Sequence, residues 1–192
     1  MSEVFARYLY ENGNFTGGEI DAIVSRSFSK KLFKRQFLLK AGDVCRYNSF
    51  VVKGCLRAFR IGKDGAEHIC AFAAEGSWIS DAVSLLTGNP AASSIEAIET
   101  SELIQWSVEN FKLLQQEIPA FFVLQETIRI NSFKENQNRI YRLLSNTAEE
   151  NFRHYLHAFP QLHNRVPLHM IAGYLGVTRE TLTRIRASVV DL

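Results

Sequence analysis

Hydrophobic and polar residues follow two different periods along this chain, and the change falls near residue 107. Between about residues 36 and 107 the apolar runs are short, and turn residues such as Gly-Asp at 42–43 separate them. Turn glycines recur there every eleven or twelve residues, at Gly42, Gly54, Gly65 and Gly76. This spacing is typical of antiparallel strands with one buried and one solvated face. The region predicts a jelly-roll-like barrel built from the strands FLL, SFVV, CLRAFRI, EHICAFA, SWI, SIEAI and ELIQWS.

Helical periods lie on both sides of the predicted barrel. Before it, the sequence predicts a helix over Gly18 to Phe28, with an apolar stripe formed by Ile20, Ile23, Val24 and Phe28. After it, Ser107 predicts the cap of a short helix that runs through Gln115. Pro119 then opens a much longer helix, which we expect to end at about residue 145.

The long helix carries a stripe that repeats every seven residues. Its members are Val123, Ile130, Phe133, Gln137, Ile140 and Leu144. Such a stripe can pack on the barrel of its own chain, or it can pair with the same helix of a second copy. The repeat is longer than one barrel face requires, which favours a two-helix seam in a homodimer.

A fresh helix start follows the long helix. The run from Asn146 to Glu150 carries an N-cap signal for a helix through about Ala158, and Pro160 stops that helix.

Residues 166–187, VPLHMIAGYLGVTRETLTRIRA, predict two short helices that meet at a steep angle. Pro167 starts the first helix, and its core-facing residues are Met170, Ile171, Tyr174 and Leu175. Gly176 lacks a Cβ atom and therefore permits the left-handed turn between the helices. Thr178 caps the second helix. The inward anchors of that helix are Leu182 and Ile185.

The outward face of the second helix is polar and is suited to DNA. It comprises Thr178, Arg179, Glu180, Thr181, Thr183, Arg184 and Arg186. Arginine can donate two hydrogen bonds to guanine and glutamate can accept one from cytosine, while Thr178 and the helix N-terminus suit a phosphate oxygen. The alternative is a solvated helix stabilised by an i,i+4 pair between Glu180 and Arg184. The joint presence of caps, turn glycine and core spacing favours a DNA-binding helix-turn-helix.

Composition restricts the class of protein. A hydrophobic fraction of 46% with 22% charged residues indicates an ordered globular chain. No run of about 18 apolar residues could cross a bilayer, so we expect a cytoplasmic protein without a membrane partner. Residues 1–126 carry 13 basic and 15 acidic residues, whereas residues 127–192 carry 9 and 5. The positive excess lies where a polyanion such as double-stranded DNA would bind.

The cysteines indicate neither disulfides nor a metal site. Cys45, Cys55 and Cys70 are odd in number, lie in apparent strands and lack CxxC spacing, so we expect buried thiols. His68 is the one histidine of the barrel, so a metal site with two barrel histidines cannot form there. No cofactor is predicted.

These features together resemble the Crp/Fnr family, the catabolite-activator-type regulators. The run T-R-E-T-x-x-R from Thr178 to Arg184 is similar to the S-R-E-T-x-x-R of that family's recognition helix. The resemblance implies an α+β fold with an N-terminal jelly-roll (double-stranded β-helix) sensor domain over residues 1–117. A dimerisation helix over 118–145 and an all-α helix-turn-helix domain over 146–192 would follow. It also implies a homodimeric DNA-binding regulator, with Arg179, Glu180 and Arg184 as base readers, and adds RNA polymerase as a candidate partner.

Three departures from the family pattern limit what the resemblance implies. The phosphate-binding stretch has Ser80-Asp81 in place of Gly-Glu and no arginine between residues 82 and 100, so we expect no tight binding of cyclic AMP. The cysteines are not N-terminal, which argues against an iron–sulfur cluster. The family's wing hairpin after the recognition helix is expected to be missing. An unknown small-molecule effector remains a candidate, with its site at Ser80, Asp81, Ser93 and Ser94.

Two other functions stay open on the sequence. One is a ligand-sensing module whose output is protein contact, with a degenerate helix-turn-helix. The other is an enzyme on a cupin-like barrel, but no nucleophile–base or acid pair is recognisable, so we expect no catalysis.

Overall fold

The computed structural model describes residues 2–190. The predicted strands and helices occur in the predicted order, together with three further elements, α1, β1 and α3, that were not predicted. The helices and strands are α1 (Ser2–Asn12), α2 (Gly17–Ser25), β1 (Phe28–Leu32), β2 (Phe37–Leu39), β3 (Tyr47–Lys53), β4 (Leu56–Ile61), β5 (Glu67–Ala73), β6 (Trp78–Ile79), α3 (Ala82–Thr87), β7 (Ser94–Ala97), β8 (Ser101–Ser107), α4 (Val108–Glu117), α5 (Pro119–Ser145), α6 (Ala148–Ala158), α7 (Leu168–Leu175) and α8 (Arg179–Val190).

Eight strands form two four-stranded sheets, in the orders β1-β8-β3-β6 and β2-β7-β4-β5. In the first sheet β8 pairs antiparallel with both β1 and β3, and Phe50 lies opposite Ile104. The predicted α+β fold with a β-sandwich is therefore confirmed. All seven strands named from the sequence are present.

Both faces of the first sheet are buried. On one face Val51 and Leu103 join the core between the two sheets. On the other face Phe50 and Trp106 pack against α1, α2, α4 and the start of α5. The indole nitrogen of Trp106 donates to the carbonyl of Ile23 at 2.8 Å, so the fully buried indole leaves no unpaired donor. The ring of Trp78 lies 5.2 Å from that of Trp106.

A buried ion pair joins two strands of the second sheet. The guanidinium of Arg57 on β4 lies 2.6 Å from a carboxylate oxygen of Glu96 on β7, and both side chains are buried. Removing one partner of such a pair leaves an uncompensated buried charge, so we expect both residues to be required for this sheet.

The chain divides into two compact units. One comprises the chain up to Ala58 together with Phe72–Ile130, and the other comprises the hairpin tip Phe59–Ala71 together with the chain from Asn131 onward. This division differs from the three segments 1–117, 118–145 and 146–192, because a hairpin from the first segment groups with the last. The prediction that the wing hairpin is missing concerns the end of the chain. Residues 191–192 there lie outside the described residues.

Several local expectations were wrong. Phe28 does not belong to the stripe of α2, because that helix ends at Ser25 and Phe28 begins β1 with an exposed ring. Cys45 and Cys55 are buried but lie just outside strands, and Cys70 on β5 is half-exposed. Asp81 caps the six-residue helix α3, an element that was not predicted from the sequence.

Candidate nucleic-acid interface

Helix α7 ends where the sequence places a glycine. Gly176 has a φ of 69° and a ψ of 29°, a left-handed conformation that residues with a Cβ rarely adopt. Its N–H and that of Val177 both donate to the carbonyl of Ala172, the latter at 3.1 Å. These bonds satisfy the end of α7 and turn the chain within three residues into α8.

Helix α8 begins with the predicted threonine cap. The hydroxyl of Thr178 accepts from the N–H of Thr181 at 3.2 Å, and the carbonyl of Thr178 accepts from the N–H of Leu182 at 3.1 Å. The predicted anchors Leu182 and Ile185 are both buried. The start and the rotation of α8 therefore follow from local sequence.

Two helices hold α8 in place. It packs against α6 and α7, which also pack against each other. Phe152 and Tyr155 supply the buried face of α6, while Ile171 and Leu175 supply that of α7. Because Leu182 is fully buried against this group, the opposite side of α8 must face solvent.

The predicted DNA-contacting side chains lie together on the solvent side of α8. Thr178, Arg179, Glu180, Thr183, Arg184 and Arg186 are exposed, and Thr181 is half-buried. No salt bridge to another described residue involves Arg179, Glu180 or Arg184. The i,i+4 pair expected of a merely solvated helix is thus not formed within residues 2–190. These charges are available for an external partner.

Two of the three threonines of this face use their hydroxyl protons within the helix. Thr183 donates to the carbonyl of Arg179 at 2.9 Å, and Thr178 donates to the hydroxyl of Thr181 at 3.1 Å. Their oxygens can accept further hydrogen bonds, but donation to a phosphate requires these internal bonds to break. The two arginines are therefore the stronger donors of the face.

Arg186 differs in its surroundings from the other predicted contacts. It lines one side of a largely apolar cavity of about 410 Å³ in the second unit. The other lining residues are Phe152, Leu156, Pro160, His163, Asn164, Leu168 and Ile171. Arg186 thus lies on the flank of α8 that adjoins α6 and α7, away from the centre of the polar face.

The four residues proposed for an effector do not form one site. Ser80 lines a cavity of about 180 Å³ in the sandwich. The carboxylate of Asp81 instead accepts from the N–H of Ser84 at 3.0 Å, and the hydroxyl of Ser94 accepts from the N–H of Ala41 at 3.0 Å. Ser93 is buried. Asp81 and Ser94 thus hold backbone in place and do not line this cavity.

The sandwich cavity contains an arginine that the sequence analysis missed. Arg46 precedes β3 and lines the cavity together with Ser80. The other lining residues are Leu38, Leu39, Asp43, Val44, Cys45, Tyr47, Ser49, Ile79, Ile95 and Gln105. The amide of Gln105 donates to the hydroxyl of Ser49 at 2.8 Å. Residues 82–100 hold no arginine, but the fold brings Arg46 to the cavity from a distant segment.

The heptad stripe of α5 is exposed to solvent. Its apolar members are between 55% and 84% exposed, and Gln137 is exposed as well. Those apolar members are Val123, Ile130, Phe133, Ile140 and Leu144. Exposure of this extent argues against the alternative in which the stripe packs on the barrel of its own chain.

Residues 2–190 contain neither a membrane-spanning helix nor a cluster of metal ligands. No described helix is both long and apolar enough to cross a membrane. No group of three or more potential ligands among His, Cys, Asp and Glu is placed to hold a metal ion in that part of the chain. His68 on β5 is exposed.

Known proteins resemble this chain in both sequence and fold. Residues 29–117 match the family model described as a cyclic nucleotide-binding domain. The fumarate and nitrate reduction regulatory protein of Vibrio cholerae is 29% identical over 181 residues, which cover 87% of this chain and 70% of that protein. Regulatory protein HlyX of Actinobacillus pleuropneumoniae is 26% identical over 179 residues, with 87% and 72% covered.

A solved structure extends the likeness to the fold. FixK2 from Bradyrhizobium japonicum superposes with a TM-score of 0.75 at 17% identity, covering 86% of this chain and 85% of that one. The names of the two relatives in sequence describe regulators. The domain match, these relatives and the shared fold agree with the helices and sandwich described above, and together they support a transcription regulator of the Crp/Fnr family.

Proposed function

We propose that this regulator is a homodimer that reads specific DNA sequences with α8. The observation that carries the proposal is the solvent-facing group of Arg179, Glu180 and Arg184, whose charges form no salt bridge to another described residue. Buried anchors fix this face outward, so its side chains are presented on a rigid helix.

Major-groove chemistry explains why these side chains suit DNA. An arginine guanidinium donates two parallel hydrogen bonds to O6 and N7 of guanine, and a glutamate accepts from N4 of cytosine. The N-terminus of α8 at Thr178 carries free N–H groups and partial positive charge, which suit a phosphate oxygen. Arg186, on the flank, is better placed for the backbone than for base edges. The face thus combines base reading with phosphate contact.

The stripe of α5 is proposed as the dimer seam, with a second copy of the chain as its occupant. Apolar residues at heptad positions pack knobs-into-holes when two helices wind around each other. Gln137 interrupts the stripe, and one polar core residue specifies a two-stranded, in-register pair at some cost in stability. A two-fold dimer would present two copies of α8 to half-sites about 34 Å apart.

The sandwich cavity is proposed to take a small polar effector. Arg46 supplies a cation, while Asp43, Ser49 and Ser80 supply polar oxygens. Its volume of about 180 Å³ lies below the roughly 300 Å³ at which sites for larger ligands begin, so a cyclic nucleotide is a poor fit. An anion of a few heavy atoms that also carries a hydrogen-bond donor for the carboxylate of Asp43 fits better, and a thermal-shift screen of small anions with Arg46→Ala as control tests this part.

The proposed function also implies a location and a further partner. A DNA-reading regulator in a bacterium acts in the cytoplasm, and RNA polymerase is the further partner through which binding would change transcription. We propose no catalysis and no resident cofactor.

Selection from random DNA duplexes tests the proposal directly. We expect enrichment of a two-fold symmetric motif whose half-sites lie about one helical turn apart. The double variant Arg179→Ala, Arg184→Ala should enrich none while its circular dichroism stays unchanged. Binding to the selected duplex should weaken steeply with salt, because phosphate contacts release counterions. A well-folded wild-type protein that enriches no motif contradicts the proposal.

A further inference from the structure

Arg139 on α5 joins three segments of the second unit at one guanidinium group. Its Nη1 donates to the carbonyl of Cys70 at 2.6 Å, and its Nη2 donates to the carbonyl of Ile69 at 2.9 Å. The same Nη2 donates to the carbonyl of Tyr174 on α7 at 2.8 Å. One side chain thus ties α5 to the β4–β5 hairpin tip and to the helix that precedes α8.

The ring of Tyr174 adds a second contact to the same group. The guanidinium carbon of Arg139 lies 4.0 Å from the centre of that ring, within range of a cation–π interaction. Burial raises the pKa of the Tyr174 hydroxyl, with the positive charge of Arg139 acting in the opposite direction. The ring is therefore neutral at physiological pH and remains a suitable partner for the cation.

A glycine allows α7 to approach the hairpin closely. A Cβ atom at Gly173 would lie 3.1 Å from the carbonyl oxygen of Glu67 and 3.4 Å from a side-chain carbon of Ile69. A residue with a Cβ atom there would require the helix or the strand to shift by a few tenths of an ångström. The closeness of α7 to the hairpin and the three bonds of Arg139 are independent observations of one junction.

We propose that Arg139 is a positioning residue that sets the angle of α7 and α8 against α5. Helix α8 packs on α7, so any rotation of α7 carries the DNA-reading face with it. The inference rests on the proposed function, because α5 is there the dimer helix. In a two-fold dimer this angle fixes the distance between the two copies of α8 and thereby the half-site spacing that the protein accepts on DNA.

The chemistry of arginine suits this role better than that of lysine. A planar guanidinium presents five N–H donors in a fixed fork and can serve two adjacent carbonyls of one strand together with a third carbonyl. A lysine ammonium is a point charge without that geometry, so Arg139→Lys keeps the charge but not the fixed angle.

Binding to a series of duplexes with altered spacing tests the inference. The selected operator is synthesised with its half-sites moved apart or together by one and by two base pairs. Wild type should prefer one spacing sharply. Arg139→Gln should bind the preferred duplex about tenfold more weakly, as expected if the competent angle is populated about one-tenth of the time. Across the series its affinities should lie within about threefold of each other, since a mobile α8 no longer selects one spacing.

Matched variants separate positioning from charge and from general damage. Arg153→Gln removes a positive charge from the same unit at an exposed pair with Glu149, and its spacing profile should stay that of wild type. Gly173→Ala changes no charge and should flatten the profile as Arg139→Gln does. If circular dichroism shows that Arg139→Gln does not fold, Arg139→Lys is tested in its place. Its spacing profile should lie between those of wild type and Gly173→Ala.

Different experimental results would contradict the role of Arg139 and the proposed DNA-binding function. An unchanged spacing profile in Arg139→Gln and Gly173→Ala, or an equal loss at every spacing, overturns the inference and leaves the proposed function standing. A folded wild-type protein that binds none of the duplexes overturns both.

Discussion

Helices α5 and α8 both expose a continuous face to solvent, but the two faces are opposite in chemistry. The exposed stripe of α5 is apolar apart from Gln137, whereas the exposed face of α8 is charged and polar. An apolar face in water is stabilised by covering it, and a second copy of the same helix is its simplest complement. A charged face is well solvated in water and needs no cover. It acquires binding specificity only when a partner offers complementary hydrogen-bonding groups.

Solvent exposure of a helix face therefore indicates a function only together with the chemistry of the exposed side chains. The exposed apolar face of α5 supports the proposed self-association, whereas the exposed charged face of α8 supports the proposed nucleic-acid recognition. The two proposed roles also differ in how they respond to substitution, because removing the seam separates the two DNA-binding copies, whereas removing one reader affects one base-pair position in each half-site.

The largest effect is expected from breaking the apolar face of α5. Phe133→Glu would place like charges opposite each other in the seam and separate the two copies. Loss of one of two linked binding modules lowers affinity by about 100-fold or more, so binding to the two-half-site operator should fall by that amount. Sedimentation and fluorescence anisotropy measure the two effects.

A matched control lies one residue away on α5. Ser132→Glu adds the same charge at an exposed position outside the heptad stripe and should leave a dimer with full affinity. A dimeric Phe133→Glu protein would show that the apolar face of α5 is not the seam.

A smaller effect is expected from a single reader on α8. Arg184→Ala should lose about 1–3 kcal/mol of discrimination at one base-pair position per half-site, because one bidentate contact disappears. Competition binding with operators substituted at each position measures this loss. Arg153→Ala on α6 serves as control. Equal weakening on all sequences would instead make Arg184 a phosphate contact.

The smallest effect is expected at the corner between α5 and α6. Thr147 caps α6, and its N–H and hydroxyl donate to the carboxylate of Glu150 at 2.7 and 2.9 Å. Thr147→Ala should lower the free energy of unfolding by about 1 kcal/mol through the lost cap. Equilibrium urea unfolding of the second unit measures it, and Ser132→Ala on α5 is the control.

The same corner has a defined pH dependence. The backbone N–H and then the hydroxyl of Thr147 hold the pKa of Glu150 below its usual 4.5. A carboxylate with a lowered folded pKa stabilises the fold above its usual pKa, and this contribution is lost as the pH falls through the folded value. In Thr147→Ala the pKa of Glu150, followed by NMR titration, should rise toward 4.5. An unchanged pKa would show that the hydroxyl does not contribute.

Features set by local sequence could be predicted, and features that depend on distant segments could not. The turn at Gly176, the cap at Thr178 and the outward face of α8 follow from residues within one or two helical turns. Strand β1 was missed because four of its five residues are exposed and two are lysines, a pattern suited to an edge strand without alternation. Helix α3 has six residues, too few for a helical period to register.

The candidate effector site shows the same limit more sharply. Asp81 and Ser94 were selected for their place in one stretch of sequence, but each bonds a backbone N–H that the sequence did not indicate as its partner. Arg46 reaches the cavity from before β3, and only the paired sheets bring it near Ser80. The hydrogen bonds of Arg139 could likewise not be predicted, since its three acceptors are carbonyls from segments far apart in the chain.

Both tryptophans lie in the same unit, so tryptophan fluorescence can distinguish that unit from the rest of the chain. The chain holds only Trp78 and Trp106, and their rings lie 5.2 Å apart in the core of the first unit. Tryptophan emission, excited at wavelengths that tyrosine does not absorb, therefore reports on the sandwich and is silent about α6, α7 and α8. Melting followed by this emission and by far-ultraviolet dichroism can consequently separate unfolding of the sandwich from unfolding of these helices in one unlabelled sample.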